Sequence, residues 1–124
     1  MIKKIDTDMG LFDYTIRCLI GPHDEALKRI SSLYDDSPDE LLELSGGNVP
    51  RGACYHRDGV VPIIWIPRRP RTPGEYGTLA HECLHAVMHL FRWAGMVVSD
   101  DTEEVVTHSV GHLMSNILEK TRND

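Results

Sequence analysis

Residues 72–93 read TPGEYGTLAHECLHAVMHLFRW and carry the clearest helix signal in the chain. Thr72 followed by Pro73 and then Glu75 has the pattern of a capping box with proline at the first helical position. Apolar residues then recur at helical spacing: Leu79, Leu84, Ala86, Val87, Leu90 and Phe91. An Ala-Gly pair at 94–95 is typical of a helix end. The sequence therefore predicts a capped, centrally buried helix that begins at Pro73 and ends before this pair.

Two histidines stand four residues apart in the middle of this helix, at His81 and His85. Side chains four apart share one helix face and are separated by about 6 Å along the axis. Both imidazoles can therefore bind one tetrahedral cation, most commonly Zn²⁺. Glu82 lies beside the first histidine, where its carboxylate can take a proton from water that the metal has made more acidic.

The segment His81-Glu82-Cys83-Leu84-His85 is similar to the HExxH motif of the zinc metallopeptidases. This resemblance assigns His81 and His85 as zinc ligands and Glu82 as the general base. A third protein ligand is then required. His89 is excluded, because its Cα lies about 12 Å along the axis from that of His81. The long metzincin signature also fails, because it requires glycine at 88 and histidine at 91.

Two acids at the start of a second helix are the remaining candidates, Glu103 and Glu104. Residues 100–102 supply capping residues for this helix, which is predicted to extend to Lys120. Its apolar stripe consists of Val106, Val110, Leu113 and Ile117. Helical phase places Glu103 within this stripe and Glu104 on an adjoining polar stripe with His108. Either acid also favours the helix N-terminus without any metal, so the phase alone leaves both open.

An HExxH helix followed by a glutamate on the next helix resembles the gluzincins, the thermolysin-like zincins. Their third ligand usually begins a Glu-small/apolar pair and has a polar residue four positions later. Glu104-Val105 with His108 matches this pattern, so the resemblance implies Glu104 as the third ligand. The run 76–113 also looks like small phage-type HExxH proteins. The chain lacks thermolysin's long flanking domains.

The first half of the chain reads as scaffold. The predicted elements are a strand over 11–20, a helix over 24–34, a short helix from Ser37 to Gly46, and a hairpin of strands 52–56 and 60–66 turned at Asp58-Gly59. Ala26, Leu27, Ile30 and Leu33 are predicted to face inward from the first of these helices. The element order is thus β-α-α-β-β-α-α.

The fold class predicted is α+β, with residues 1–124 forming a single minimal zincin-like domain. It has a small, mostly antiparallel sheet, an HExxH helix and a C-terminal ligand-bearing helix. Pro62 and Pro67 suggest that the second hairpin strand lies at a sheet edge, because proline cannot donate to a ladder. The zincin resemblance implies that the free edge of residues 61–66 pairs with a substrate peptide.

Composition limits the function classes. A chain of 124 residues with 41% hydrophobic content suits one domain, and a net charge of −6 argues against a general nucleic-acid binder. The arginine cluster at 68–71 is read as a solvated loop, with an acidic peptide or phosphate as the alternative ligand. Three cysteines, a charged N-terminus and the lack of a long apolar run predict a cytoplasmic protein outside any membrane, in the host cytoplasm if phage-encoded.

The function predicted is zinc-dependent hydrolysis of a peptide bond in a protein or peptide substrate. His56, His108, His112 and Tyr76 all remain open as donors to the oxyanion. The alternative is a zinc-stabilised, non-catalytic interaction module, for example a phage factor that binds a host protein. A hydrolase of a non-peptide amide is a third possibility.

Overall fold

The computed structural model describes residues 1–10, 13–43 and 46–124. These ranges contain four strands and four helices: β1 (Lys3–Asp8), β2 (Thr15–Ile20), α1 (His23–Tyr34), α2 (Pro38–Glu43), β3 (Ala53–Arg57), β4 (Val60–Ile66), α3 (Pro73–Trp93) and α4 (Glu103–Lys120). The strands form one sheet in the order β1-β2-β4-β3. β1–β2 and β3–β4 are antiparallel, and β2–β4 is parallel. The α+β class is confirmed, as a small mixed four-stranded sheet with four helices.

The prediction that residues 60–66 form an edge strand is wrong. β4 pairs with β2 on one side and with β3 on the other. Pro62 is tolerated because it precedes the first parallel pair, Arg17 with Ile63, and lies opposite a register shift between Tyr55 and Arg57. A missing N–H therefore interrupts no regular ladder at that point. The free edge on this side of the sheet belongs to β3.

β1 was not predicted, and the observed order begins β-β rather than with a single strand. Its sequence, KKIDTD, carries charges on one face, whereas Ile5 and Thr7 are buried on the other. These charged residues make the segment look unlike a strand in the sequence. In the fold they have partners: Asp6 forms an ion pair with Arg17 of β2 at 2.8 Å. Only the neighbouring strand makes this polar segment a favourable strand.

Three scaffold predictions differ in detail from the structure. β2 begins at Thr15, after Asp13 and Tyr14, and the predicted residues Leu11 and Phe12 lie outside the described residues. α1 is confirmed, but Leu33 is exposed and Tyr34 is buried in its place. The short helix is confirmed from Pro38 to Glu43, with Ser37 Oγ accepting from the Glu40 N–H at 3.1 Å. Part of its predicted end, residues 44–45, also lies outside the described residues.

The sheet is covered on both faces. Ile64 and Ile66 belong to a core shared with α3 and α4, whereas Ile63 and Trp65 belong to a core shared with α1 and α2. A strand buried on both faces reads as a continuous apolar run, which explains the sequence of β4. α3 is therefore packed on the sheet along one face and open to solvent along the other.

α3 has the predicted bounds and caps. Thr72 Oγ1 accepts from the Glu75 N–H at 3.2 Å. At the other end Gly95 has a positive φ of 76°, and the Met96 N–H donates to the Phe91 carbonyl at 2.9 Å, which closes the helix as a Schellman motif. Leu84 is 47% exposed, contrary to prediction, because it lies on the open face of the helix.

α4 also has the predicted bounds, and it is anchored to β1. His112 Nε2 contacts the Asp8 carbonyl at 2.8 Å, and Asn116 Nδ2 donates to Thr7 Oγ1 at 2.8 Å. Thr102, at the N-cap, makes no side-chain capping bond; its hydroxyl donates to the Val97 carbonyl at 2.7 Å instead. The loop before α4 is thereby held against the start of the helix.

Candidate metal centre

The two motif histidines lie together on the open face of α3. His81 Nε2 and His85 Nε2 are 3.1 Å apart, and both side chains are exposed. With zinc–nitrogen bonds of about 2.0–2.1 Å and a tetrahedral angle, two ligand nitrogens lie about 3.3 Å apart. The observed separation therefore fits one shared zinc ion. No rearrangement of the helix is needed, because the four-residue spacing alone brings the rings together.

Glu82 is the third member of this cluster and lies on its buried side. Its carboxylate lies within 4.8 Å of the nitrogens of both histidines, and this is the one group of its kind found among the described residues. Unlike them, Glu82 is buried. Burial raises the pKa of its carboxyl, and the adjacent His81 and His85 act in the opposite direction. A raised carboxyl pKa suits a general base that must take up a proton and release it again.

A small cavity adjoins Glu82 and His81, and the sequence did not predict its walls. It has a volume of about 350 Å³ and includes Arg51, Gly52 and Thr78 in its lining. Arg51 is exposed, and no hydrogen bond or ion pair engages its side chain among the described residues. It is therefore the cation available next to the motif. In the sequence, these walls are marked only by the Arg51-Gly52 pair just before β3. Two residues are too few to predict a cavity without knowledge of the packing.

Gly52, just before β3, lies close against the motif helix. A Cβ placed there would lie 2.6 Å from Thr78 Cγ2 and 3.4 Å from Glu82 Cγ. Thr78 cannot easily move, because its hydroxyl donates to the Gly74 carbonyl at 3.1 Å. The absence of a side chain at position 52 thus lets the start of β3 pack against Thr78, next to Glu82.

We expect Gly52→Ala to destabilise the fold by about 1–3 kcal/mol, the usual cost of overpacking. Gly77→Ala is the matched control: it lies on α3, and a Cβ there meets nothing within 4 Å. Alanine is favoured over glycine inside a helix by about 0.5–1 kcal/mol, so the control should be neutral or stabilising. Urea unfolding of both variants measures the difference. Equal stability of the two variants would contradict the close packing of β3 on Glu82.

β3 and α3 lie side by side and run in the same direction. Gly52 stands at the level of Thr78 and Glu82, and His56 stacks on His89 with ring centroids 3.5 Å apart. Burial, then the neighbouring His56, lower the pKa of His89 to about 4, so its ring is neutral near pH 7. His89 lies outside the metal cluster. The cluster is thus located between the two ends of β3.

The structure does not bring either acidic candidate into the cluster. Glu103 and Glu104 are both exposed at the start of α4. The Glu104 side chain is 83% exposed, and its carboxylate lies 3.0 Å from His108 Nε2, one turn further along the helix. The assignment of Glu104 as a ligand remains a prediction.

The four predicted oxyanion donors are dispersed. His56 stacks on His89, and His108 pairs with Glu104. His112 is bound to the Asp8 carbonyl, and the Tyr76 hydroxyl accepts from Arg69 at 3.5 Å. None of them lines the cavity beside His81 and Glu82. Arg51, for which the sequence predicted no role, does line this cavity.

The cysteines and the arginine loop do not contribute to the metal cluster. Cys18, Cys54 and Cys83 are free, and burial raises the pKa of both Cys54 and Cys83 to about 12. None of the three belongs to the group of metal-ligating side chains found among the described residues. In the loop before α3, Arg68 forms an ion pair with Glu75 at 2.6 Å. Its charge therefore helps to hold the start of the motif helix.

In the part of the chain that the structure describes, no helix is long and apolar enough to cross a bilayer. Comparison with known protein families, with curated proteins and with solved structures gave no match for this chain.

Proposed function

We propose that this protein is a zinc-dependent hydrolase that cleaves a peptide bond. The observation that carries the proposal is the convergence of His81 and His85 Nε2, 3.1 Å apart, next to the buried Glu82 carboxylate. A purely structural metal site needs ligands but no base. A carboxylate held in place at such a site, with its pKa raised by burial, is better accounted for by proton transfer.

The proposed roles follow from the positions of the side chains. His81 and His85 would hold zinc, which when bound supplies a Lewis acid and makes water more acidic. Glu82 accepts the proton of the attacking water as the new carbon–oxygen bond forms. It then returns this proton to the amine nitrogen as the carbon–nitrogen bond breaks. Arg51, beside Glu82, supplies positive charge near the oxygen of the substrate carbonyl.

The free outer edge of β3 supports a peptide as substrate. β3 runs along α3 on the side of the metal cluster, and β4 is its one partner among the described strands. An extended peptide can pair with such an edge through backbone hydrogen bonds. We therefore propose that the substrate peptide pairs with the edge of β3 and not with residues 61–66, which are paired on both sides.

The test of this proposal is metal analysis of the purified protein combined with cleavage of a peptide library. We expect about one zinc per chain and cleavage that a chelator abolishes and added zinc restores. Stoichiometric zinc without cleavage of any library member would instead favour the second candidate, a zinc-stabilised module that binds another protein.

We further propose Glu104 as the third protein ligand, on the basis of the gluzincin-like pattern of Glu104-Val105 followed by His108. Glu104→Gln should weaken zinc binding at least about 10- to 100-fold, the loss caused even by removing an outer partner of a ligand. Glu103→Gln is the matched control, because Glu103 is also exposed in the first turn of α4. It should leave the zinc affinity at the wild-type value, since the loss of this acid should cost at most about 0.3–1 kcal/mol of stability at the helix N-terminus. Competition with a chromogenic chelator measures both affinities, and wild-type affinity for Glu104→Gln would exclude this ligand.

A further inference from the structure

A second and larger cavity lies beyond the other end of the metal cluster. It has a volume of about 550 Å³ and lies between the β3–β4 hairpin, the start of β2 and the last turns of α3. Pockets for small molecules and side chains commonly fall between about 300 and 1,000 Å³. The cavity is therefore large enough for a complete aromatic side chain.

The walls of this cavity are rich in rings. Tyr14 and Trp93 meet edge to face with centroids 4.4 Å apart, and His56 and His89 form the stacked pair described above. Trp93 remains 49% exposed although it is a large apolar side chain. Aromatic rings pack favourably on one another in offset or edge-to-face contacts. Such walls complement a planar apolar group.

The charges of the cavity do not favour a charged ligand. Arg57 and Arg92 line it, but so do Asp13 and Asp58, and the four formal charges cancel. Arg57 is moreover committed to an ion pair with Asp36. A neutral side chain with a flat face therefore fits better than an acidic or a basic one.

The cavity is within reach of the metal cluster. The His85 and His89 rings have centroids 6.5 Å apart, and His89 forms part of the wall. A residue of an extended chain spans about 3.3–3.6 Å, so a side chain one or two positions from a carbonyl at His85 reaches the opening. His56, on the other wall, belongs to β3, along which the substrate peptide is proposed to pair.

We infer that this cavity is a specificity subsite that receives an aromatic side chain of the peptide bound at the metal cluster. The inference rests on the proposed function, because it names the substrates preferred by the same site. Peptides with phenylalanine, tyrosine or tryptophan one or two residues from the cleaved bond should be processed in preference to those with alanine there.

The subsite can be tested without catalysis by fluorescence. Trp93 lines the cavity, whereas Trp65, the other tryptophan, is buried on the opposite side of the sheet with its indole N–H donating to the Gly21 carbonyl at 3.0 Å. Titration of N-acetyl-phenylalanine amide into chelator-treated protein should change Trp93 emission saturably. N-acetyl-alanine amide should not. Tyr14→Leu should weaken binding about two- to tenfold, the value of one aromatic contact, and Leu33→Ala on α1 should have no effect.

A second measurement links the cavity to the metal. The zinc-loaded protein should bind the hydroxamate of phenylalanine at least tenfold more tightly than acetohydroxamate, because one ligand then occupies both places. No saturable binding of the phenylalanine amide, or binding insensitive to Tyr14→Leu, would overturn the subsite even if the protein hydrolyses peptides. The protein could also bind the phenylalanine amide but show no tighter binding of the phenylalanine hydroxamate than of acetohydroxamate. That result would place the aromatic ligand away from the metal centre and would equally overturn the subsite. Absence of peptide hydrolysis, with both binding results as expected, would contradict the proposed function but not the aromatic subsite.

Discussion

Glu82→Gln is expected to slow hydrolysis by orders of magnitude while the protein keeps its fold and its zinc. The amide has the shape of the carboxylate and still forms hydrogen bonds, but it cannot accept the proton of the attacking water. Loss of a general base typically lowers a rate by about 10²–10⁴-fold. Because Glu82 is assigned as the base and not as a ligand, metal content should stay near that of the wild type. The measurement is the rate of cleavage of the best library peptide, together with zinc analysis of the same sample.

Glu75→Gln is the matched control for this experiment. Glu75 also lies on α3, but it is at the first turn, where it pairs with Arg68 outside the metal cluster. Its carboxylate is partly exposed and apart from the reacting groups, so this variant should cleave at close to the wild-type rate. Equal biological activity of Glu82→Gln and wild type, with binding of a partner protein intact, would contradict the hydrolase and support the interaction module.

The second large effect is expected from the histidines. His81→Ala/His85→Ala should contain almost no zinc, and added zinc should no longer raise its melting temperature. In the wild type, zinc at about 100 times its Kd should stabilise the fold by about 2.7 kcal/mol, which corresponds to a shift of several degrees in a domain of this size. Zinc analysis and thermal unfolding with and without the metal measure both quantities.

His112→Gln is the control for nonspecific loss of a histidine. It retains a side-chain N–H donor for the Asp8 carbonyl, and His112 lies outside the metal cluster. Its zinc content and its response to added zinc should equal those of the wild type. The metal-free double variant should melt close to the temperature of the metal-free wild type, because both rings are exposed on the open face of α3. Full zinc occupancy of the double variant would refute the site.

Local interactions account for what could be predicted along the chain. The Thr72 cap, the proline at the first helical position and the Gly95 exit are all formed by residues close in sequence. The bounds of α3 were therefore predictable, and α4 and the hairpin at Asp58-Gly59 followed from similar short patterns. β1 was missed because its polar residues become favourable in a strand only beside β2.

The position of β4 shows where sequence patterns compete. Pro62 favoured an edge strand, whereas the apolar run Ile63–Ile66 is typical of a strand buried on both faces. The parallel pairing with β2 decided the competition, since Arg17 pairs with Ile63 just after the proline. No residue within β4 specifies that partner. As a consequence, β3 and not β4 is the edge strand on this side of the sheet.

Two features followed from the sequence alone: the capped motif helix, and the proximity of His81, Glu82 and His85 on it. Both depend only on residues within a few positions of one another. Tertiary packing set which strand borders the motif, brought Gly52 against Thr78 next to Glu82, and joined His56 to His89 beside an aromatic cavity. These features join segments far apart in the chain. They depend on strand order and on the packing of α3 against the sheet, and neither leaves a periodic signal in the sequence.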